Sequence, residues 1–376
     1  MRSPTTLLRA AADRWLNLGT AALPVVAILA LAAVWGRSLA PAVEVVLIAL
    51  LIGSVLAAVH HAEVVAHRVG EPFGSLILAV AVTVIEVGLI VSLMLAGGDN
   101  AETLARDTIF AAVMICCNGI VGLSLLVGAM RNRVASYRSE GTSAALLIVI
   151  TLATLSLVVP KFTTSTPGDD FSAQQLGFAA VTSLALYGLF VFVQSVRHRS
   201  YFLPRVSAGV DDVDEGSDEP AERPSKGVTL RSVGLLLLAL VGVVGLAKVE
   251  SKSIEDQVIS AGLPHAVIGV IIALLVLSPE TIAAVRNARR DRVQTSLNLA
   301  YGSAIASIGL TVPVIAVASI WIDGRLVLGL GDIQIVLLIL TALASTLTVL
   351  PGRATILQAG VHLTLCVSFL FLAAFP

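Results

Sequence analysis

The sequence predicts an all-α integral membrane protein, and three observations carry that prediction. Hydrophobic residues make up 57% of the 376, charged residues only 13%, and the mean hydropathy is +0.94. No compact soluble domain needs that much apolar surface. The apolar residues fall in runs long enough to cross a bilayer, about 17–25 residues each. Short connections and Gly and Pro inside the runs suit helices rather than the alternating pattern of a barrel. The three cysteines, Cys116, Cys117 and Cys366, all lie in apolar runs and read as free buried thiols, not a disulfide framework.

Runs at residues 20–36, 41–58, 72–97, 107–130, 142–160, 174–196, 229–248, 263–285, 294–321, 331–350 and 353–375 give eleven helices. The first follows Arg2, Arg9, Asp13 and Arg14, has no small-residue cleavage site after it, and reads as a span rather than a signal peptide. Positive charge tests the count. With the N-terminus cytoplasmic, outside loops hold only Arg37, Arg106, Lys161, Lys248, Lys252 and Arg325, and the other 18 of the 24 Lys and Arg fall inside. This bias predicts N-terminus in and C-terminus out. The single long hydrophilic stretch joins spans six and seven. From Asp211 to Glu222 it carries seven acids and no Lys or Arg, the composition of a solvated linker; a role in attracting Ca²⁺ is the alternative.

Two carboxylates stand out because each lies well inside a span: Glu86 in the third, Glu280 in the eighth. An ionisable group at membrane depth costs roughly 2.5–3.5 kcal/mol on insertion scales and reads by default as functional. The sequence offers no Lys or Arg at mid-span to pair with either. Two such acids, one in each half, point to a cation site. Beyond the first span the chain divides into five plus five around the linker. An odd number of spans per half gives the halves opposite orientation, as in inverted-repeat transporters whose ion site lies near the midplane. A weak internal match agrees. Gly70-Glu71-Pro72 precedes the Glu86 span and Gly262-Leu263-Pro264 the Glu280 span, with 14 residues from Pro72 to Glu86 and 16 from Pro264 to Glu280. The expected organisation is an N-terminal segment and extra helix at 1–40, repeat one at 41–197, the acidic linker at 198–228 and repeat two at 229–376.

The stretch from His60-His61-Ala62-Glu63 through Gly70-Glu71-Pro72-Phe73-Gly74 to Glu86 resembles bacterial calcium/proton antiporters of the cation/calcium exchanger superfamily. So do Leu277-Ser278-Pro279-Glu280-Thr281-Ile282, Gly302-Ser303-Ala304 and Thr311-Val312-Pro313-Val314. The resemblance implies the superfamily's two inverted repeats, with Glu86 and Glu280 as the essential acids and Asn118 and Ser303 in the paired helices that complete the site. It implies export of Ca²⁺ from the cytoplasm in exchange for H⁺, a multi-pass location in the bacterial inner membrane, and no cofactor and no nucleic-acid partner. Na⁺ or K⁺ in place of Ca²⁺ is the alternative on the same fold.

Ca²⁺ takes about six to eight oxygens, so neutral groups must supplement two carboxylates. Pro279 has no N–H, which frees the Leu275 carbonyl of its helical partner. Ser278 and Thr83 sit in the turn before each Glu; their hydroxyls either face the ion or bond back to their own helices. Asn118 either ligates or bridges helices. Ser303 and Ser307 either line the ion path or allow close packing. His60, Glu63 and His67 share a helical face, read chiefly as a wetted interface, and His362 reads as a packed, hydrogen-bonded histidine. Two functions of other classes fit the sequence less well. Gly329-Leu330-Gly331-Asp332 matches a motif of intramembrane aspartyl proteases, but that chemistry needs a second Asp in a neighbouring span and Asp332 sits at an outer edge. A passive cation channel would not need to neutralise its acids before moving.

Overall fold

The computed structural model describes residues 4–37, 39–70, 73–96, 101–166, 168, 170–203, 224–321 and 325–376. The acidic run 211–222 and Glu71-Pro72 lie outside these. Eleven long helices make up the described chain. An extra N-terminal helix, α1 (Pro4–Val34), contributes a shorter apolar stretch, Gly19–Val34. Ten helices long and apolar enough to cross a membrane follow among the described residues: α2 Pro41–Val69, α3 Phe73–Ala96, α4 Leu104–Asn132, α5 Ser139–Phe162, α6 Ala173–Arg197, α7 Lys226–Ser260, α8 Ala266–Arg289, α9 Val293–Ala318, α10 Asp332–Val349 and α11 Ile356–Ala374. Five helices, α2–α6, precede the acidic linker and five, α7–α11, follow it.

Some helices start and stop where local chemistry says they should. Pro41 sits at the first position of α2, where a missing N–H costs nothing, and Gly70 closes that helix at φ +76°. The Ser172 hydroxyl accepts from Gln175 N at the start of α6 while Gln175 Oε1 accepts from Ser172 N. Thr355 and Gln358 make the same reciprocal cap on α11. Two-residue strands Ala135–Ser136 and Arg353–Ala354 pair antiparallel, Ala135 opposite Ala354.

By packing, the chain forms two compact units. Unit 1 comprises residues 1–96 and 219–253; unit 2 comprises residues 97–218 and 254–376. Each unit takes helices from both sides of the linker, so packing and sequence order divide the chain differently.

Within unit 1, Gly88 on α3 faces α7 so closely that a Cβ there would stand 2.6 Å from Val244 Cγ2, and the Ser92 hydroxyl donates to the Val244 carbonyl at 3.2 Å. Arg68, at the end of α2, donates to Pro224 O just before α7.

Within unit 2, loop contacts check the alternation of spans. The strand pair joins the α4–α5 loop to the α10–α11 loop. Asn132 and Asp291 join the end of α4 to the α8–α9 turn. At the opposite ends of these helices, Arg325 pairs with Asp170 at 2.7 Å, Lys161 pairs with Asp332 and Arg106 donates to Gly329 O at 3.2 Å. Every loop that these bonds bring together is one that an alternating count places on the same side. Arg131, Arg133, Arg138, Arg289, Arg290, Arg292 and Arg353 gather at the first end, against Arg106, Lys161 and Arg325 at the second, as the charge bias anticipates.

Helix α8 approaches α4 with backbone almost in contact: a Cβ on Gly269 would meet Thr108 N at 2.8 Å and Asp107 C at 2.9 Å. Small residues permit such approach, and close packing is what holds helices together where lipid removes the hydrophobic drive. Gly269→Val should therefore lower the thermal midpoint of the purified protein, by the equivalent of ~1–3 kcal/mol expected of overpacking. Gly360→Ala, whose Cβ meets nothing within 4 Å, should leave it unchanged or slightly raised.

Candidate ion-translocation site

In unit 1 the candidate site residue is Glu86, on α3, 4% exposed, with Thr83 one turn earlier at 5%. A separation of three residues puts both on one helical face. The close α3–α7 contact at Gly88 and Ser92 holds the helix just beyond Glu86.

In unit 2 the acid is Glu280, on α8, 7% exposed. Pro279 interrupts the backbone ladder next to it, and the Leu275 carbonyl that loses its N–H partner accepts instead from the Ser278 hydroxyl at 2.8 Å. The hydroxyl thus repairs the proline's defect from the residue before it. Its proton is committed to Leu275, and the lone pairs of the two oxygens are what remain for a cation. Thr281 Oγ1 bonds back to Leu277 O at 2.8 Å in the same way.

Helix α8 packs against α4 and α9, and α4 packs against α9, so the helices bearing Glu280, Asn118 and Ser303 adjoin one another. Ser303 is half-buried and Ser307, one turn on, is buried. Asn118 lies in a π-helical turn, Ile115–Ile120, within α4. The wider turn carries one extra residue and re-aims side chains, and such turns recur at functional sites.

Asn118 is fully buried, and its amide joins three helices. Nδ2 donates to Thr341 Oγ1 on α10 at 2.9 Å. Oδ1 faces His362 Nδ1 on α11 at 3.2 Å. The other ring nitrogen, Nε2, faces Thr348 Oγ1 at 3.1 Å, and Tyr137 OH donates to the Thr348 carbonyl. With the amide oriented this way the bonds take a single direction. Thr348 donates to His362, His362 to Asn118, Asn118 to Thr341, and Thr341 to the Met114 sulfur at 3.5 Å. Close backbone approach seats this chain: a Cβ on Gly122 would meet Leu363 Cγ at 2.9 Å and His362 Cβ at 3.1 Å. Asn118 therefore bridges helices. His362 is the packed, hydrogen-bonded residue its position suggested; its partners, 244 and 14 residues away, could not be read from one sequence.

The remaining candidates are peripheral. Glu63 and His67 are exposed and His60 half-buried, the pattern of a wetted face; the adjacent His61 is buried, with Nε2 3.1 Å from Thr20 O. Among the described residues no three His, Cys, Asp or Glu cluster as a metal site would. Asp332 is 91% exposed and paired with Lys161, which does not suit a protease aspartate.

The profile of the family described as sodium/calcium exchanger protein matches residues 39–196 and again 231–375. The chain belongs to the sodium/calcium exchanger family. Membership makes it a multi-pass membrane antiporter that exchanges cations, not an enzyme. Among relatives, a putative ionic transporter, y4hA, of Sinorhizobium fredii is 48% identical over 327 residues, 87% of each chain. The sodium-potassium/proton antiporter ChaA of Escherichia coli is 35% identical over 352 residues, 92% of this chain and 93% of that one. Two solved structures share the exchanger fold. Native YfkE has TM-score 0.69 at 16% identity, covering 96% of this chain and 99% of that one. The H⁺/Ca²⁺ exchanger CAX has TM-score 0.64 at 17% identity, covering 96% and 93%.

Asn118→Leu would bury the His362 Nδ1–H with no acceptor, and His362→Phe would strand the Asn118 carbonyl. Each should cost ~1–3 kcal/mol, the penalty for an unmet buried polar group. Because both changes break one shared bond, the double variant should fall short of the sum by about 0.5–3 kcal/mol, read from unfolding midpoints in detergent. Strict additivity would show that the bond does not form.

Proposed function

We propose that the chain exports Ca²⁺ from the cytoplasm in exchange for H⁺ by alternating access, with Glu86 and Glu280 holding cation and protons in turn. One observation carries this reading. Each half of the chain buries one carboxylate within its second helix, Glu86 on α3 at 4% exposure and Glu280 on α8 at 7%, where lipid makes a permanent charge costly. On this reading residues 41–197 and 229–376 are the repeats, and the protein sits in the inner membrane with its N-terminus cytoplasmic.

The physical chemistry of exchange follows from that pair. An ionised carboxylate held away from water loses its hydration, so the vacant charged state of each acid is disfavoured. One Ca²⁺ or protons neutralise it, and only a neutralised site crosses between access states cheaply. Cation and proton thus compete for the same oxygens, which couples their flows without a separate gate. Neutral oxygens complete the coordination of a hard cation. The candidates are the Asn118 Oδ1, the hydroxyls of Ser303, Ser278 and Thr83, and the Leu275 carbonyl; Asn118 and Ser278 serve with the lone pairs left over from the bonds described above. A rigid hydrogen-bonded frame behind Asn118 favours this, because a preorganised oxygen need not be reoriented when the ion arrives.

A second reading has its own support. Similarity to the sodium-potassium/proton antiporter ChaA, at 35% identity over 92% of this chain, favours Na⁺ or K⁺ as the exported ion on the same acids. Two carboxylates suit one divalent ion or two monovalent ones.

Flux into everted vesicles separates these. Acidifying the lumen should drive Ca²⁺ uptake by the wild type, and Glu86→Gln and Glu280→Gln should each abolish it while the proteins still insert and purify normally. Proton-driven Na⁺ or K⁺ uptake without Ca²⁺ uptake would establish the second reading. Retained Ca²⁺ uptake in both Gln variants would overturn the assignment of the acids.

A further inference from the structure

Helix α7 runs 35 residues, Lys226–Ser260, about 52 Å at 1.5 Å per residue, whereas its apolar run ends at Lys248. Residues just past such a run normally meet headgroups and water. Glu250 does not. It is 0% exposed, and neither of its carboxylate oxygens makes a hydrogen bond. Burying an ionised carboxylate without a donor is among the costliest arrangements available to a side chain.

A second acid stands on the same face. Glu44, half-buried in the first turn of α2, accepts through Oε2 from the Ser253 hydroxyl at 2.9 Å. Ser253 is three residues beyond Glu250 on α7, so the two present to one side of the helix. The surroundings supply little compensation. At this end of unit 1 the described cations are Lys248 and Lys252 on α7 and Arg37 in the α1–α2 connection, all exposed. The Lys248 ammonium lies over the Trp35 ring, 5.8 Å from its centre. From α1 and α3 the sequence contributes no ionisable group at this end.

We propose that Glu250 and Glu44 form a second ion-binding site, at the end of unit 1 where α2 begins and α7 leaves its apolar run, and that its ligand is a single proton shared by the two carboxyl groups. One carboxyl then donates to the other, which supplies Glu250 with the hydrogen bond it lacks and leaves one net negative charge in place of two. The proton comes from and returns to water through half-buried Glu44. A metal ion suits the place less well, since among the described residues no three His, Cys, Asp or Glu side chains gather there as a metal site would. The site is independent of Glu86 and Glu280.

Infrared difference spectroscopy tests it. The full-length protein is reconstituted in lipid with Glu86→Gln and Glu280→Gln, so that those acids contribute nothing whatever their role in transport. The spectrum at neutral pH should contain the carbonyl stretch of a protonated carboxylic acid, and further Glu250→Gln should remove it while Glu250→Asp keeps it. Glu44→Gln, which removes the neighbouring negative charge, should move the pH at which the band disappears downward by about one unit or more. Should Glu250→Gln fail to fold, that shift alone decides. A band untouched by Glu250→Gln, a midpoint unmoved by Glu44→Gln, or a band lost on adding Ca²⁺, Na⁺ or K⁺ at neutral pH would each overturn the proposal.

Discussion

Everything in this structure answers to one constraint: a polar group surrounded by hydrocarbon must find its partner inside the protein. The backbone meets it by remaining helical almost throughout the spans. Where a span breaks the pattern, a neighbour closes the gap. Pro279 deprives the Leu275 carbonyl of a donor, and the Ser278 hydroxyl takes the place of the missing N–H at 2.8 Å. The π-helical turn at Ile115–Ile120 disturbs α4 in another way, and the side chain it re-aims, Asn118, becomes the centre of a hydrogen-bonded chain through α10 and α11. Of these two, Pro279 stands next to Glu280 on α8 itself, and the π-helical turn lies on α4, which packs against α8.

The same constraint separates the buried polar residues into two kinds. Asn118, His362, Thr341 and Thr348 are neutral groups that saturate one another. They can stay buried through any conformational cycle that keeps α4, α10 and α11 together. Carboxylates are different, because hydrogen bonds lower the cost of a buried charge without cancelling it. A protein that must carry such charges through lipid does best to let the cargo neutralise them. Membership of the sodium/calcium exchanger family fits this division. On the proposed reading, the satisfied amides and hydroxyls are a static frame, and the acids are the groups whose neutralisation accompanies transport.

Much of this architecture was legible in the amino-acid sequence, for physical reasons. Hydrophobic runs matched to bilayer thickness report spans directly. Arginine placement reports alternation, and the loop contacts of unit 2, such as Ala135 with Ala354 and Arg325 with Asp170, agree with it independently. Mid-span acids announce themselves because lipid makes them costly. What stayed hidden depends on pairings across long sequence separations. Nothing local joins Asn118 to His362, 244 residues away, and a π-helical turn has no composition of its own. The grouping into units 1 and 2 was equally invisible, since it follows packing across the linker and not the order of the repeats. Glu250 shows the opposite failure. It lies two residues past an apolar run, a position that reads as solvated, yet it is completely buried.

That failure bears on how such a chain should be read. Hydropathy finds a charge that is out of place along the chain, and Glu86 and Glu280 are conspicuous by that measure. It cannot find a charge that is out of place only in three dimensions. Helix α7 continues about three turns beyond its apolar run, and there Ser253, one turn past the buried Glu250, bonds to Glu44 of α2. A helix that outlasts its hydrophobic stretch exposes new surface to be covered, and at this end the cover includes Glu44, an acid. Opposing two carboxyl groups where either could have reached solvent gives up stability, and it is retained only if a bound positive charge restores the balance. A proton is the smallest such charge and the one a half-buried pair can exchange with water without opening the helices.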